Sequence, residues 1–130
     1  MSIEYLVTTE EFAEKHYLKN FRKRYKNSFD IHWNTYVFML QKFDLILKKE
    51  GTTLISCISD DIVIYKLEFK MSPKESAKKS GNRCVVAQYR SANSIKILLV
   101  YCKNDIQGSS ETSWWKNLIK NNYSVYKSIS

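Results

Sequence analysis

Residues 62–101 read IVIYKLEFKMSPKESAKKSGNRCVVAQYRSANSIKILLVY, and this stretch decides the fold class. Three segments within it combine β-branched, aromatic and alternating apolar residues, which is the composition of strands. They are residues 62–69, 83–89 and 95–101. The RSANS sequence at residues 90–94 has the small, polar composition of a hairpin turn. The stretch therefore predicts successive antiparallel strands.

Further strands are predicted on the N-terminal side of this stretch. Residues 53–58 are β-branched and apolar, and Asp60 with Asp61 marks a turn into the strand that follows. Near the start of the chain, Ile3 and Val7 belong to a short alternating pattern that predicts a first strand.

Two helices are predicted between the first strand and the rest of the sheet. The first is capped by Thr8 or Thr9 and ends at Ser28, with apolar residues recurring at helical spacing. The second begins at an N-cap, Asp30, and continues to a glycine C-cap at Gly51. A tight connection between them makes the pair a helical hairpin.

These elements predict one α+β domain over residues 1–130, in which the N-terminal helical hairpin packs on a twisted antiparallel sheet. A C-terminal helix is predicted at residues 111–122. The composition agrees with a packed domain, because 44% of the residues are hydrophobic, 14% are aromatic and only one is proline.

The composition also narrows the functional class. No apolar run reaches the roughly 20 residues that cross a bilayer, so no membrane role is predicted. Cys57, Cys84 and Cys102 are far apart in sequence and form no CxxC pair. Together with the lack of a signal-peptide pattern, they predict buried thiols in a reducing cytoplasm. No motif for a metal ion or a small-molecule cofactor is present, and neither is expected.

The charge of the chain indicates an anionic partner. Lysine and arginine total 21 against 13 acidic residues, a formal net charge of +8. Residues 15–26, KHYLKNFRKRYK, carry six basic side chains and no acid. The candidate RNA-binding residues in this run are Lys19, Arg22, Lys23, Arg24 and Lys26. A solvated helix face explains the same run equally well, so both interpretations stay open.

A second concentration of basic residues lies on the predicted strand at 62–69 and the loop after it. Lys66, Glu68 and Lys70 share one strand face by the two-residue period, and the loop continues the basic pattern to Arg83. RNA cleavage by its own 2′-OH needs a proton acceptor, a proton donor and cations for the phosphorane charge. A lysine whose pKa is lowered by neighbouring positive charge, and an arginine that holds the phosphate bidentately, can supply these functions. The other interpretation is an ordinary charged outer face of a sheet.

Four sequence motifs resemble the RelE/ParE superfamily of type II toxin–antitoxin toxins, and the RelE-like and HigB-like branch fits best. The motifs are YKLEF at 65–69, KKSGNRCVVAQY at 78–89, IKILLVYCKND at 95–105 and WWKNLIK at 114–120. The similarity is strongest over residues 62–106. The basic helical hairpin that precedes these residues agrees with the family in order.

The resemblance implies a small toxin that enters the ribosomal A site and cuts mRNA there without a metal ion, and that a cognate antitoxin silences. Position by position, it assigns Lys66, Arg83 and Lys103 as catalytic residues. It also places basic loop residues at Lys70, Lys78 and Lys79, and Lys74 of the same basic loop is a further candidate for RNA binding. The expected partners are therefore mRNA, ribosomal RNA and the antitoxin protein.

One position departs from the family pattern. Glu68 stands where RelE-like toxins often carry a second lysine, so it is interpreted as a base or as an ion-pair partner of Lys66 or Lys70. The same scaffold also serves other activities. A ParE-like inhibitor of DNA gyrase, or a catalytically inactive interaction module, is the alternative function.

Overall fold

A computed structural model gives the structure of the chain and describes residues 3–106, 108 and 110–129. The strands are β1 (Leu6–Thr9), β2 (Thr52–Cys57), β3 (Ile62–Glu68), β4 (Asn82–Tyr89) and β5 (Ser94–Cys102). The helices are α1 (11–25), α2 (Phe29–Leu40), α3 (Phe43–Ile46), α4 (Ala77–Ser80) and α5 (Glu111–Asn122). Single 3₁₀ turns lie at Lys26–Ser28, Lys103–Asp105 and Ser124–Tyr126.

The five strands form one sheet in the order β1-β5-β4-β3-β2. The pairs β2–β3, β3–β4 and β4–β5 are antiparallel, and their predicted bounds agree with the structure to within one residue at each end. The first strand differs from the prediction because it adds to β5 in parallel. The α+β class, with a helical hairpin before the sheet and a C-terminal helix, is confirmed.

Because β1 pairs with β5, the first helix begins later in the chain than predicted. Thr8 and Thr9, the predicted caps, belong to β1 instead. The backbone N–H of Glu10 donates to the carbonyl of Ile97 at 2.9 Å, which extends the strand ladder past the threonines. Helix α1 then begins at Glu11 without a side-chain cap.

The second predicted helix is broken into α2 and α3. The prediction of one helix to residue 50 is wrong because α2 ends at Leu40 and a turn follows. The carbonyl of Gln41 accepts a hydrogen bond from the N–H of Tyr5 at 3.0 Å, so it leaves the helical pattern. The N–H of Lys42 donates instead to Met39 at 3.0 Å, which tightens the last turn.

Helix α1 lies against both apolar layers of the molecule. Its central turn, Glu14–Leu18, is π-helical and therefore wider than the α-helical segments on either side. Leu18 and Phe21 belong to the core between the helical hairpin and the sheet. Tyr17 packs instead against the core on the opposite face, where α5 lies.

A β-bulge in β5 divides its residues between these two cores. The register pairs Val86 with Ile97 but Val85 with Leu99, so Leu98 is the extra residue. Leu98 and Leu99 consequently both face α5, whereas a regular strand would place them on opposite faces. Because of this extra residue, each residue of β5 after Leu98 faces the opposite side of the sheet from the side that it would face in a regular hairpin.

The cysteines follow the prediction only in part. Cys84 and Cys102 are buried, but Cys57 is exposed at the end of the edge strand β2. No helix in the described part of the chain combines the length and the apolar character that crossing a membrane requires.

Candidate functional site

The charged groups of the sheet converge at the ends of β3, β4 and β5. Glu68 pairs across the strands with Arg83, and Arg83 pairs with Tyr101, so the three side chains project from the same face. Lys66 precedes Glu68 by two residues and shares that face. The fifth member is Glu111, from the first turn of α5. These five residues are called the sheet-end cluster.

Arg83 is the buried centre of this cluster, with only 4% of its surface exposed. Its guanidinium donates to the carbonyls of Asn82 at 2.9 Å, of Ala77 at 3.3 Å and of Lys78 at 3.3 Å. Its Nη2 also lies 3.5 Å from Oε2 of Glu68. The predicted catalytic arginine therefore stabilises the carbonyl end of α4 and pairs with a carboxylate.

The serine and glycine residues before Arg83 build the turn that holds it. Ser76 caps α4 by accepting from the N–H of Lys79 at 3.1 Å. The hydroxyl of Ser80 donates to the carbonyl of Phe69 at 2.8 Å, which ties α4 to the end of β3. Gly81 follows in the left-handed conformation, with φ +78°, where other residues are strained. The SGNR sequence is thus a device for positioning the arginine.

Lys66 and Tyr101 both contact Glu111. The Nζ of Lys66 lies 3.6 Å from Oε2 of Glu111, and the hydroxyl of Tyr101 donates to the same oxygen at 2.7 Å. Burial raises the pKa of Tyr101, and the hydrogen bond to Glu111 raises it further. The phenol is therefore a firm donor at neutral pH, and it holds the carboxylate beside the ammonium group of Lys66.

The sheet-end cluster balances its own charge. Lys66 and Arg83 supply two positive charges, and Glu68 and Glu111 supply two negative ones. Glu68 forms its ion pair with Arg83, and not with Lys66 or Lys70 as one interpretation of the sequence expected. An incoming phosphate must therefore compete with Glu111 for Lys66.

The other predicted residues of the site lie outside the cluster. Lys103 is exposed at the start of the 3₁₀ turn after β5, and its N–H donates to the carbonyl of Gly81 at 2.8 Å. The remaining loop lysines are exposed around α4 and its approach: Lys70, Lys74, Lys78 and Lys79. Within the described ranges, no carboxylate lies within 4.0 Å of the Lys103 ammonium group, and Lys103 therefore shares neither glutamate of the cluster. The roles of these residues remain predictions.

The basic side chains of residues 15–26, on α1 and at the start of the turn after it, are exposed to solvent. The predicted RNA-binding residues Lys19, Arg22, Lys23, Arg24 and Lys26 are all exposed. Arg22 pairs with Glu14, and Arg24 donates to Asp105 at 2.8 Å. Within the described ranges, no carboxylate lies within 4.0 Å of the three lysines. They present an unneutralised positive surface.

Sequence reasoning missed Glu111 and Tyr101 as members of the site. An acidic residue in the first turn of a helix is ordinary, so Glu111 carried no signal of its contact with Lys66, 45 positions earlier. Tyr101 reaches the cluster only because the bulge at Leu98 shifts the register. If β5 had no bulge, the register set by the hairpin turn would pair Arg83 with Val100.

Among the residues that the structure describes, no three His, Cys, Asp or Glu side chains are grouped to hold a metal ion. The donors of the sheet-end cluster are two carboxylates already paired with cations. What the cluster can do chemically is bind an anion, donate a proton from Lys66 and accept one on a carboxylate.

Comparison with known proteins bears on the fold. No protein-family model matches the chain, and no curated protein matches it significantly. Among solved structures, the chain is similar to the crystal structure of the archaeal RelE-RelB complex from Pyrococcus horikoshii OT3. The TM-score is 0.51 at 13% sequence identity, and the match covers 82% of this chain and 100% of that chain. The chain therefore has a RelE-like fold.

Proposed function

We propose that the protein is the toxin of a type II toxin–antitoxin system, an endoribonuclease that cuts mRNA in the ribosomal A site of the cytoplasm without a metal ion. The observation that carries the proposal is the sheet-end cluster, in which Lys66 and Arg83 lie on neighbouring strands of a RelE-like fold. The exposed basic face of α1 adds a surface for RNA phosphates.

The chemistry follows from the contacts of Lys66 and Glu111. When a phosphate binds the ammonium group of Lys66, Glu111 loses its ion-pair partner. The Glu111 carboxylate is then still positioned by the hydrogen bond from Tyr101. That carboxylate accepts the 2′-OH proton as the 2′-oxygen attacks phosphorus. The bond from phosphorus to the 5′-oxygen breaks, and Lys66 donates a proton to the leaving oxygen. The products are a 2′,3′-cyclic phosphate and a 5′-hydroxyl end.

Arg83 supports this reaction by position and by charge. Its buried guanidinium is fixed by three carbonyls, so it adds a permanent positive charge behind the reacting phosphate. It is therefore a poor choice for a first test, because its replacement also removes contacts that hold α4.

The test is induced expression of Lys66→Ala, with Lys48→Ala as the matched control. Lys48 is an exposed lysine after α3 and takes no part in the salt bridges of the described residues. We expect the wild-type protein and Lys48→Ala to stop growth and translation, with cuts inside translated codons by primer extension. We expect Lys66→Ala, at equal protein level, to do neither. Growth arrest by Lys66→Ala at the wild-type level would overturn the site.

The charge balance of the cluster favours a second candidate function. Because both cations are paired with carboxylates, the protein could act by binding alone, as a gyrase inhibitor of the ParE type or as an inactive interaction module. The cellular response separates the two functions. A gyrase inhibitor induces the DNA-damage response and filamentation, whereas mRNA cleavage first stops translation.

The proposed antitoxin partner follows from the exposed charge. A neutralising segment with acidic side chains fits the free lysines of α1, and electrostatic attraction makes its association fast and salt-sensitive. A small gene adjacent to this one is expected to encode it. Co-expression of that gene should abolish growth arrest, and harmless expression without any such neighbour would remove support for the toxin.

A further inference from the structure

A pocket of about 190 Å³ lies between α1, the end of β5 and the first turns of α5. The residues that matter for its chemistry are Tyr17, Asn20, Arg24, Tyr101, Asp105 and Trp114. We propose that this pocket, called the aromatic pocket, binds a single nucleobase of the RNA next to the cleaved phosphate. The proposal rests on the proposed function and specifies the substrate contacts of that site.

Aromatic side chains form the walls of the pocket. The rings of Tyr17 and Trp114 are 6.2 Å apart and nearly perpendicular, and those of Tyr101 and Trp114 are 5.1 Å apart at 66°. Trp114 and Tyr17 are only partly buried, so ring surface remains open to a ligand. Proteins hold unpaired bases by stacking them on such rings.

The size of the pocket selects a single flat ring system. An apolar cavity of about 150 Å³ holds one benzene molecule, which sets the scale. At about 190 Å³, the aromatic pocket has room for one base.

The rim of the pocket is polar, which distinguishes a base from a purely apolar ligand. The exposed amide of Asn20 donates one N–H to the carbonyl of His16 at 3.4 Å, and it has a second N–H and an acceptor oxygen to offer a ligand. On the other side, Asp105 accepts from Arg24 at 2.8 Å, and its second oxygen is not engaged in the hydrogen bonds of the described residues. Base edges present alternating donors and acceptors that match such groups.

The position of the pocket connects it to the proposed chemistry. Tyr101 lines the pocket with its ring, while its hydroxyl donates to Glu111, the partner of Lys66. A base in the pocket would therefore contact the ring whose hydroxyl holds Glu111 of the sheet-end cluster. Arg24 at the rim, and Lys103 on the turn that supplies Asp105, are cations for the adjoining phosphates.

The experiment measures binding without cleavage. ¹⁵N-labelled protein is titrated with the four ribonucleoside 5′-monophosphates, and with ribose 5-phosphate as the control that lacks a base. We expect the nucleotides to shift the indole signal of Trp114 and the amide signals of Tyr17 and Asn20, and ribose 5-phosphate to leave them unchanged. Equal shifts with ribose 5-phosphate, or no shift with any nucleotide, would overturn the proposal.

A pair of variants tests the rim. Asn20→Leu should weaken nucleotide binding about fivefold, the effect of losing one hydrogen bond of ordinary strength. Asn34→Leu is the matched control, since Asn34 is an exposed helical asparagine of α2 that does not line the pocket. Equal binding by Asn20→Leu and the wild type, or equal weakening by Asn34→Leu, would contradict the assignment.

The two proposals can fail separately. Nucleotide binding at the aromatic pocket, in a protein that cuts no RNA, would leave the pocket in place and remove the nuclease function. RNA cleavage with the same kcat/KM for Asn20→Leu and the wild type would keep the nuclease and remove the pocket.

Discussion

The chain has two concentrations of basic side chains that look alike in sequence and differ in the folded protein. The run on α1 is exposed, and three of its lysines have no carboxylate within 4.0 Å in the part of the chain that the structure describes. In the sheet-end cluster, Arg83 is only 4% exposed and Lys66 is half-buried, and each is paired with a glutamate.

The difference teaches that charge density in a sequence does not reveal what a charge does. Exposed lysines attract a polyanion over a distance, and salt screens that attraction. A buried arginine acts in a medium of lower dielectric constant, where losing a partner is costly and the position is fixed. In the proposed function, the first region recruits RNA and the second holds one phosphate.

The largest effect that separates the two regions is expected from Arg83→Ala. The substitution removes hydrogen bonds to three carbonyls and leaves Glu68 unpaired, so the free energy of unfolding should fall by about 3 kcal/mol. The measurement is urea denaturation followed by circular dichroism.

The control for Arg83→Ala comes from the other region. Lys23→Ala removes an exposed α1 charge and should change the free energy of unfolding by no more than about 0.5 kcal/mol. Equal stabilities of the two variants would mean that the contrast in burial has no energetic consequence.

Glu111→Gln is expected to have opposite effects on binding and on catalysis. Without the carboxylate, Lys66 is freed, so affinity for a short uncleavable RNA should rise about threefold. The cleavage rate should fall by roughly 100-fold, since the proton acceptor is lost. Filter binding and single-turnover cleavage give the two values.

Glu14→Gln is the matched substitution for Glu111→Gln at the α1 region, where it frees Arg22. It should leave the single-turnover rate within about threefold of the wild type, because Glu14 contacts no reacting group. A loss of both affinity and rate in Glu111→Gln would instead identify Glu111 as a structural residue.

The smallest effect concerns pH and the tyrosine of the cluster. Burial and the bond to Glu111 raise the pKa of Tyr101 above the usual value of about 10. Its contribution to stability is therefore complete below pH 10 and is lost as the pH rises toward the folded pKa, because only the unfolded phenol releases its proton. Above pH 10, stability should fall by about 1.4 kcal/mol per pH unit through this residue.

Urea denaturation at pH 9, 10 and 11 tests this slope, with Tyr101→Phe as the comparison. The wild type should lose stability more steeply than the variant above pH 10, and the two should be parallel below it. Parallel curves throughout would show that Tyr101 ionises as freely in the folded protein as in the unfolded one.

The strands were predictable because local pattern and tertiary pairing agree in them. Residues 62–69 alternate strongly, and the hairpin between β4 and β5 has clear turn composition. The helix break after Leu40 was not predictable, because its cause is a hydrogen bond from Tyr5, 36 positions before Gln41. Local periodicity carries no information on such a contact.

The candidate site was predictable as a set of basic residues but not as a structure. Lys66 and Arg83 were identified from motif and strand period, and the structure brings them to one face. The two glutamates that neutralise them became partners only through the sheet register and the docking of α5. The bulge at Leu98, which brings Tyr101 to this face, has no signature in an unbroken run of apolar residues.

The parallel pairing of β1 with β5 has a consequence for the order in which a newly made chain can fold. Leu6 pairs with Ser94, and the side chain of Gln88 donates to the hydroxyl of Tyr5. The native contacts of β1 and Tyr5 can therefore form only after residues more than 80 positions later have been made. Contacts of such long sequence separation slow folding. During synthesis at about 5–20 residues per second, β1 has no strand partner for several seconds. The sheet is completed only after β5 has been made, and the cluster only after Glu111 has been made.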